Sequence, residues 1–160
     1  MNLTMYDSIT IDQIPKTATY AAGYVNGLWP TYASLKKMLP HATLLSVAVN
    51  ATADADCLDV ESGDATIADV YGWLERQHTS STRPVIYIQA SNVDRLMLTM
   101  NANGLKRGTY RLWSAHYGLG SHLCGPETCK ECSTAVDGTQ WTDTSGGKNL
   151  DESLLLPTFF

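Results

Sequence analysis

The chain has 160 residues, of which 44% are hydrophobic and 17% charged, which excludes a disordered protein and predicts one globular domain over residues 1–160. The formal net charge is −5 and the basic residues are scattered, so we expect no nucleic acid partner. No apolar stretch could span a bilayer, and residues 1–8 lack the pattern of a signal peptide. We therefore expect a protein made in the cytoplasm without a membrane span.

Short apolar runs recur along the chain and predict β-strands. Most of these runs are continuously apolar rather than alternating, which is typical of strands that are buried on both faces, as in parallel sheets and barrels. The predicted strands are residues 3–6, 18–25, 43–49, 57–60, 84–88, 110–115 and 135–141.

Helical patterns lie between several of these strands. Apolar residues share one helix face at positions 32, 35, 38 and 39, at positions 67, 70, 71 and 74, and at positions 93, 96, 97 and 100. The alternation of strands and helices predicts a parallel α/β fold, and it ends near residue 104. Because a complete (β/α)8 barrel usually needs at least ~200 residues, a barrel in this chain must be trimmed of helices.

The fourth strand ends in Cys57-Leu-Asp-Val-Glu61, so Asp59 and Glu61 point to the same face. Two residues along a strand span roughly 6.5–7 Å, at the short edge of the ~6.5–9.5 Å carboxylate separation of inverting glycosidases. Two carboxylates on one face suit the mouth of a catalytic cavity, where one holds a proton and the other is charged. The alternative is a strand end with two solvated acids.

Polar residues also close or follow other strands, at the carboxyl ends where parallel α/β folds carry their sites. We interpret Asp7 as functional together with Asp59 and Glu61. We interpret Asn26, Asn50 and His116 as surface loop residues. The remaining candidates at strand ends are Gln89, Tyr117, Gln140 and Asp151.

Three of the four cysteines fall within nine residues, in the segment His122-Leu-Cys-Gly-Pro-Glu-Thr-Cys-Lys-Glu-Cys132. One interpretation is a disulfide between Cys124 and Cys129 across the Gly-Pro turn, and another is a zinc site that uses His122 and the three thiols. Free thiols on a loop are the third. Cys57 lies in an apolar strand and is expected to be a small buried hydrophobic residue.

The order of several segments resembles family 25 glycoside hydrolases, the lysozyme-type muramidases of bacteria and phages. It is still more similar to the glycoside-hydrolase-like barrels of actinobacteria and their phages, some of them lysins or tail-associated proteins. The resemblance covers nearly the whole chain. The segments that carry it are Tyr6-Asp7-Ser8, Ala22-Gly23-Tyr24-Val25, Leu58-Asp59-Val60-Glu61, Val85-Ile86-Tyr87, Leu112-Trp113-Ser114-Ala115-His116-Tyr117, Thr139-Gln140-Trp141-Thr142 and Leu150-Asp151.

The resemblance implies a trimmed TIM-like barrel of about five β/α units followed by strands with few helices. It also implies that Glu61 is the general acid, with a pKa raised by Asp59 and by partial burial. Asp59 would stabilise charge at the anomeric centre or orient an N-acetyl group. Neither a metal nor an organic cofactor is implied. Asp7 and Asp151 would complete the acidic floor, and the sugar-binding residues would be Tyr87, Gln89, Trp113, Tyr117, Gln140 and Trp141.

The leading hypothesis is thus a peptidoglycan-directed hydrolase, released by host lysis or carried in a phage particle. The third strand lacks the aromatic pattern of the muramidases, residues 51–56 leave no room for a helix, and the cysteine-rich loop is not general among them. The alternative is a non-catalytic barrel that binds cell wall or serves as a structural part beside phage virion proteins. A small zinc protein is a third hypothesis. The apolar residues 154–160 would pack under the barrel or dock on a partner.

Overall fold

The computed structural model describes residues 1–77 and 83–160 and contains a closed barrel of eight strands in sequence order. Strands β1 to β7 run parallel to one another, and β8 is antiparallel to both β7 and β1, so it closes the barrel. The strands are β1 (Leu3–Asp7), β2 (Tyr20–Tyr24), β3 (Thr43–Ala48), β4 (Cys57–Val60), β5 (Val85–Gln89), β6 (Arg111–Ala115), β7 (Gly138–Thr142) and β8 (Asp151–Leu155).

Three α-helices lie outside the strands: α1 (Tyr32–Met38), α2 (Ile67–Gln77) and α3 (Val93–Ala102). The sequence predicted these three helices. About five β/α units were also expected, but a short 3-10 turn, Ile11–Gln13, connects β1 to β2, and no helix connects β3 to β4. The fold is therefore a closed mixed α/β barrel with three α-helices in its described part. None of the helices in residues 1–77 and 83–160 has the length and hydropathy that crossing a bilayer requires.

Side chains alternate between the inside and the outside of the barrel. The inner face of β4, β5 and β6 carries Cys57, Val85, Tyr87 and Trp113, which pack in one apolar cluster. Leu58, Ile86 and Leu112 on the outer face pack with residues of α2 and α3 in a second cluster. This arrangement explains why the sequences of β4 and β5 are continuously apolar, because both faces of these strands pack against other residues.

Helix α1 approaches β2 at Gly23. A Cβ atom at this position would lie 3.0 Å from Tyr32 Cα and 3.2 Å from Leu35 Cδ2. Those distances are shorter than ordinary carbon contacts, so the close approach of α1 to the barrel requires glycine here.

The C-terminal residues close the barrel at the end opposite the strand carboxyl termini. Leu155 and Phe159 are fully buried in the inner cluster, and the Phe160 ring stacks on Tyr20 with centroids 5.0 Å apart. Arg111 donates a hydrogen bond to the Phe159 carbonyl oxygen. The expectation that residues 154–160 pack under the barrel is confirmed. Strand β8 itself was missed, because its first half is polar.

Candidate functional site

Five carboxyl groups meet at one rim of the barrel. Asp7 ends β1, Asp59 lies in β4, Glu61 and Asp64 follow β4, and Asp151 begins the antiparallel β8 at the same rim. None of them forms an ion pair with a residue in 1–77 or 83–160. Because an unpaired cluster of like charges costs stability, such a cluster in a cleft is typical of a functional site.

Asp7 and Asp151 are register partners across β1 and β8, and their carboxyl groups share a hydrogen bond. Burial, followed by the charge of Asp151, raises the pKa of Asp7 well above its usual value. Burial also raises the pKa of Asp151, to about 6. Their hydrogen bond raises the pKa of Asp7 and lowers that of Asp151, so Asp7 is the member of the pair that holds the proton more tightly. This pair forms the acidic floor that the resemblance implied.

The Asp59 side chain is 2% exposed. The Tyr24 hydroxyl donates to Asp59 Oδ2 over 3.5 Å, whereas Oδ1 has no hydrogen-bond partner in the part of the chain that the structure describes. Burial, then the charges of Glu61 and Asp64, raises the pKa of Asp59 to about 8. Asp59 is therefore a neutral acid at pH 7 and can donate a hydrogen bond. Tyr24 was not predicted as a site residue.

Glu61 is exposed, as is Asp64. Burial, then the charge of Asp64, raises the pKa of Glu61, and the neighbouring Tyr87 hydroxyl group opposes the rise. The sequence predicted Asp59 as the charge that raises this pKa. The predicted effect of partial burial is confirmed, but the charge that raises the pKa is that of Asp64 and not that of Asp59.

The distance between the two carboxyls of β4 also differs from the prediction. One oxygen each of Asp59, Glu61 and Asp64 lies within 4.8 Å of the others. The two β4 carboxyls thus lie closer than the ~6.5–9.5 Å that an inverting glycosidase needs to place a water molecule between acid and base. The rotamers, which the strand period does not fix, bring the side chains together.

Gln140 links the aromatic and acidic residues. Its Oε1 accepts hydrogen bonds from the hydroxyl groups of Tyr87 and, over 2.9 Å, of Tyr117. Its Nε2 donates to Asp151 Oδ2 over 2.7 Å. Because Tyr87 is also within hydrogen-bond reach of Glu61, this network holds the floor and the exposed carboxyl in fixed positions. The sequence predicted all five residues as site residues, and the structure brings them together.

Three cavities of about 450, 420 and 460 Å³ open at this rim, and Glu61 lines all three. Gln89 lines the first two. Trp29, which is 58% exposed, lines the third together with Asp59 and Glu61. Trp29 was not predicted, although a tryptophan that follows a strand end by a few residues is a signal that sequence reasoning could have used.

Two of the predicted sugar-binding residues lie elsewhere. Trp113 is 3% exposed and lies inside the barrel. The centroid of its ring lies 4.5 Å from that of Tyr87, and its Nε1 donates a hydrogen bond to Ser153 Oγ over 3.0 Å. It supports Tyr87 from below and offers no face to a sugar. Trp141 is half-buried, and the alternation along β7 places it on the face opposite Gln140. The sequence could not separate inner from outer positions in strands that are apolar on both faces.

All four cysteines are free thiols, so the disulfide between Cys124 and Cys129, one of the three interpretations from the sequence, is not formed. The Cys124 thiol hydrogen-bonds that of Cys129, and burial raises the pKa of Cys124 to about 12. Cys57 packs inside the barrel as expected.

Two groups in the described ranges bring together side chains that could hold a metal ion. One is Asp59, Glu61 and Asp64, and the other is His116, His122 and Cys124. The second group includes His116, which we interpreted from the sequence as a surface residue.

No protein-family model matches the chain, and no curated protein matches it. Among solved structures, the chain is similar to an uncharacterized B. stearothermophilus protein, with a TM-score of 0.66 over 99% of this chain and 98% of that one. The two sequences are 13% identical, so this likeness shows a shared barrel fold alone.

Proposed function

We propose that this protein is a peptidoglycan-directed glycoside hydrolase in which Glu61 is the general acid. The observation that carries the proposal is the position of Glu61, an exposed carboxyl that lines three cavities above buried carboxyls with raised pKa values. A carboxyl with a raised pKa in an open groove is suited to protonating a glycosidic oxygen.

Asp59 then acts as a neutral hydrogen-bond donor. Its unpartnered, buried Oδ1 and its pKa of about 8 suit the role of orienting an N-acetyl group rather than stabilising charge. The short separation from Glu61 also supports a mechanism in which the substrate itself assists, because no water molecule needs to fit between the two carboxyls. Trp29 offers the exposed aromatic face on which a sugar ring can stack.

The barrel supports this assignment at the level of architecture. Strands β1 to β7 are parallel in sequence order, with the carboxyl groups at their carboxyl ends, where enzymes with (β/α)8 barrels carry their sites. We infer that it is a trimmed TIM-like barrel.

The test is release of reducing sugar from purified actinobacterial peptidoglycan between roughly pH 4 and 8, the range in which a raised Glu pKa would show. We expect activity in the wild type and a loss of activity of about 100-fold or more in Glu61→Gln. The control Glu75→Gln, which alters an exposed glutamate on α2, should keep the wild-type activity. Trp29→Ala should raise KM with little change in kcat. An inactive wild type that binds the wall as well as Glu61→Gln does would make the barrel a binding or structural module.

A further inference from the structure

The loop after β6 brings two imidazoles and a thiol together outside the carboxyl network. His116 Nδ1 lies 3.0 Å from His122 Nε2, and Cys124 Sγ lies 3.6 Å from the same His122 Nε2. One ligating atom from each of the three residues lies within 4.8 Å of the others. The two nitrogens and the sulfur therefore lie close enough together to bind one ion.

These distances match a metal site. Tetrahedral zinc with Zn–N bonds of about 2.05 Å and a Zn–S bond of about 2.3 Å separates two nitrogen ligands by about 3.3 Å and a nitrogen from a sulfur by about 3.6 Å. The observed nitrogen–sulfur distance equals that value, and the two imidazole nitrogens need to move apart by only a few tenths of an ångström.

The second nitrogen of His122 is already held in the way that metal ligands are held. Its Nδ1 lies 2.7 Å from the carbonyl oxygen of Gly120, which can only accept a hydrogen bond. Nδ1 is therefore the protonated nitrogen, and Nε2 presents its lone pair to His116 and Cys124. A backbone carbonyl that fixes the tautomer is a common outer partner of a zinc-bound histidine.

The backbone at both ends of the group is anchored to β7. The His116 N–H donates to the Gln140 carbonyl oxygen over 3.0 Å, and the Cys124 N–H donates to Thr139 Oγ1 over 2.8 Å. Cys124 is 2% exposed. The ligating atoms are thus positioned by the barrel itself, although they lie on a loop.

We propose that His116, His122 and Cys124 bind a zinc ion. Water takes the fourth position, as in zinc sites that have three protein ligands. A mixed nitrogen and sulfur ligand set favours zinc over magnesium or calcium, which prefer oxygen. This ligand set differs from the sequence-based zinc site, because it includes His116.

The ion would hold the wall of the groove. His116 and Tyr117 line the cavity that Glu61 and Gln89 also line, and Glu131 of the same loop completes it. Zinc would tie residues 116 and 122–124 together and so fix the side of the groove next to Tyr117. The zinc site lies outside the carboxyl network, and its existence does not depend on the proposed hydrolase activity.

The first experiment is elemental analysis of protein purified under reducing conditions, without chelator and without a histidine tag. We expect about one zinc ion per chain in the wild type, and less than about a tenth of that in His122→Ala and Cys124→Ser. Two matched controls, His41→Ala at an exposed histidine and Cys57→Ala inside the barrel, should keep the metal.

A second experiment needs no variant. Co²⁺ added to the reduced, metal-free wild type should give a thiolate-to-cobalt absorption band at about one equivalent, and Zn²⁺ should displace it. No zinc after purification together with no cobalt band would overturn the proposal. A Cys124–Cys129 disulfide in protein kept under reducing conditions, found by mass spectrometry after thiol labelling, would overturn it as well.

Discussion

Asp59→Asn should change how stability depends on pH. In the unfolded chain Asp59 ionises near its usual pKa of 3.8, whereas in the native state its pKa is about 8. Between these values the native state binds one more proton than the unfolded state, so stability falls as pH rises. Each pH unit costs about 1.4 kcal/mol, so Asp59 alone removes about 2.7 kcal/mol between pH 5 and pH 7.

That loss is a large part of the roughly 5–15 kcal/mol by which domains are usually stable. Asparagine cannot ionise, so this contribution disappears in Asp59→Asn. We therefore expect the stability of the variant relative to the wild type to improve by about 2–3 kcal/mol from pH 5 to pH 7. Any fixed effect of the amide on packing is the same at both pH values and cancels in this comparison.

The assay is urea unfolding of the two proteins at pH 5, 6 and 7, with the slope of free energy against urea checked for constancy. Asp12→Asn is the matched control, because it makes the same substitution at an exposed aspartate. A difference between Asp59→Asn and wild type that is the same at pH 5 and pH 7 would refute the reasoning, since it would mean that Asp59 ionises normally in the native state.

Two further predictions follow from local geometry. Gly23→Ala should lower the free energy of unfolding by about 1–3 kcal/mol, because its Cβ would lie 3.0 Å from Tyr32 Cα. Gly72→Ala, in α2 with no atom within 4 Å of its Cβ, should instead raise the free energy of unfolding by up to about 1 kcal/mol. Thermal unfolding in which both variants change stability in the same direction would contradict this prediction. Tyr87→Phe should raise the pKa of Glu61, because it removes a neighbouring hydroxyl group that lowers this pKa. The high-pH limb of sugar release should then move to higher pH, with an NMR titration of Glu61 as the direct measurement, and an unmoved Glu61 titration would be the opposing result.

Local sequence patterns determined most of the secondary elements and part of the site. The helix periods at 67–74 and 93–100 gave α2 and α3, because each apolar face is repeated within a single element. The strand ending at Asp59 and Glu61 predicted two carboxyls on one face, and the structure has them there. Such features depend on residues a few positions apart, so they can be read from the chain alone.

The tertiary structure decided which residues meet across the barrel and which face each strand residue takes. The pairing of Asp7 with Asp151 depends on antiparallel β8 closing the barrel, and the meeting of His116 with Cys124 depends on a loop anchored to β7. Trp113 lies inside rather than in the groove because strands that are apolar on both faces carry no alternation to mark the inner side. Contacts between distant residues and the burial that shifts each pKa are properties of the closed barrel, which no local pattern encodes.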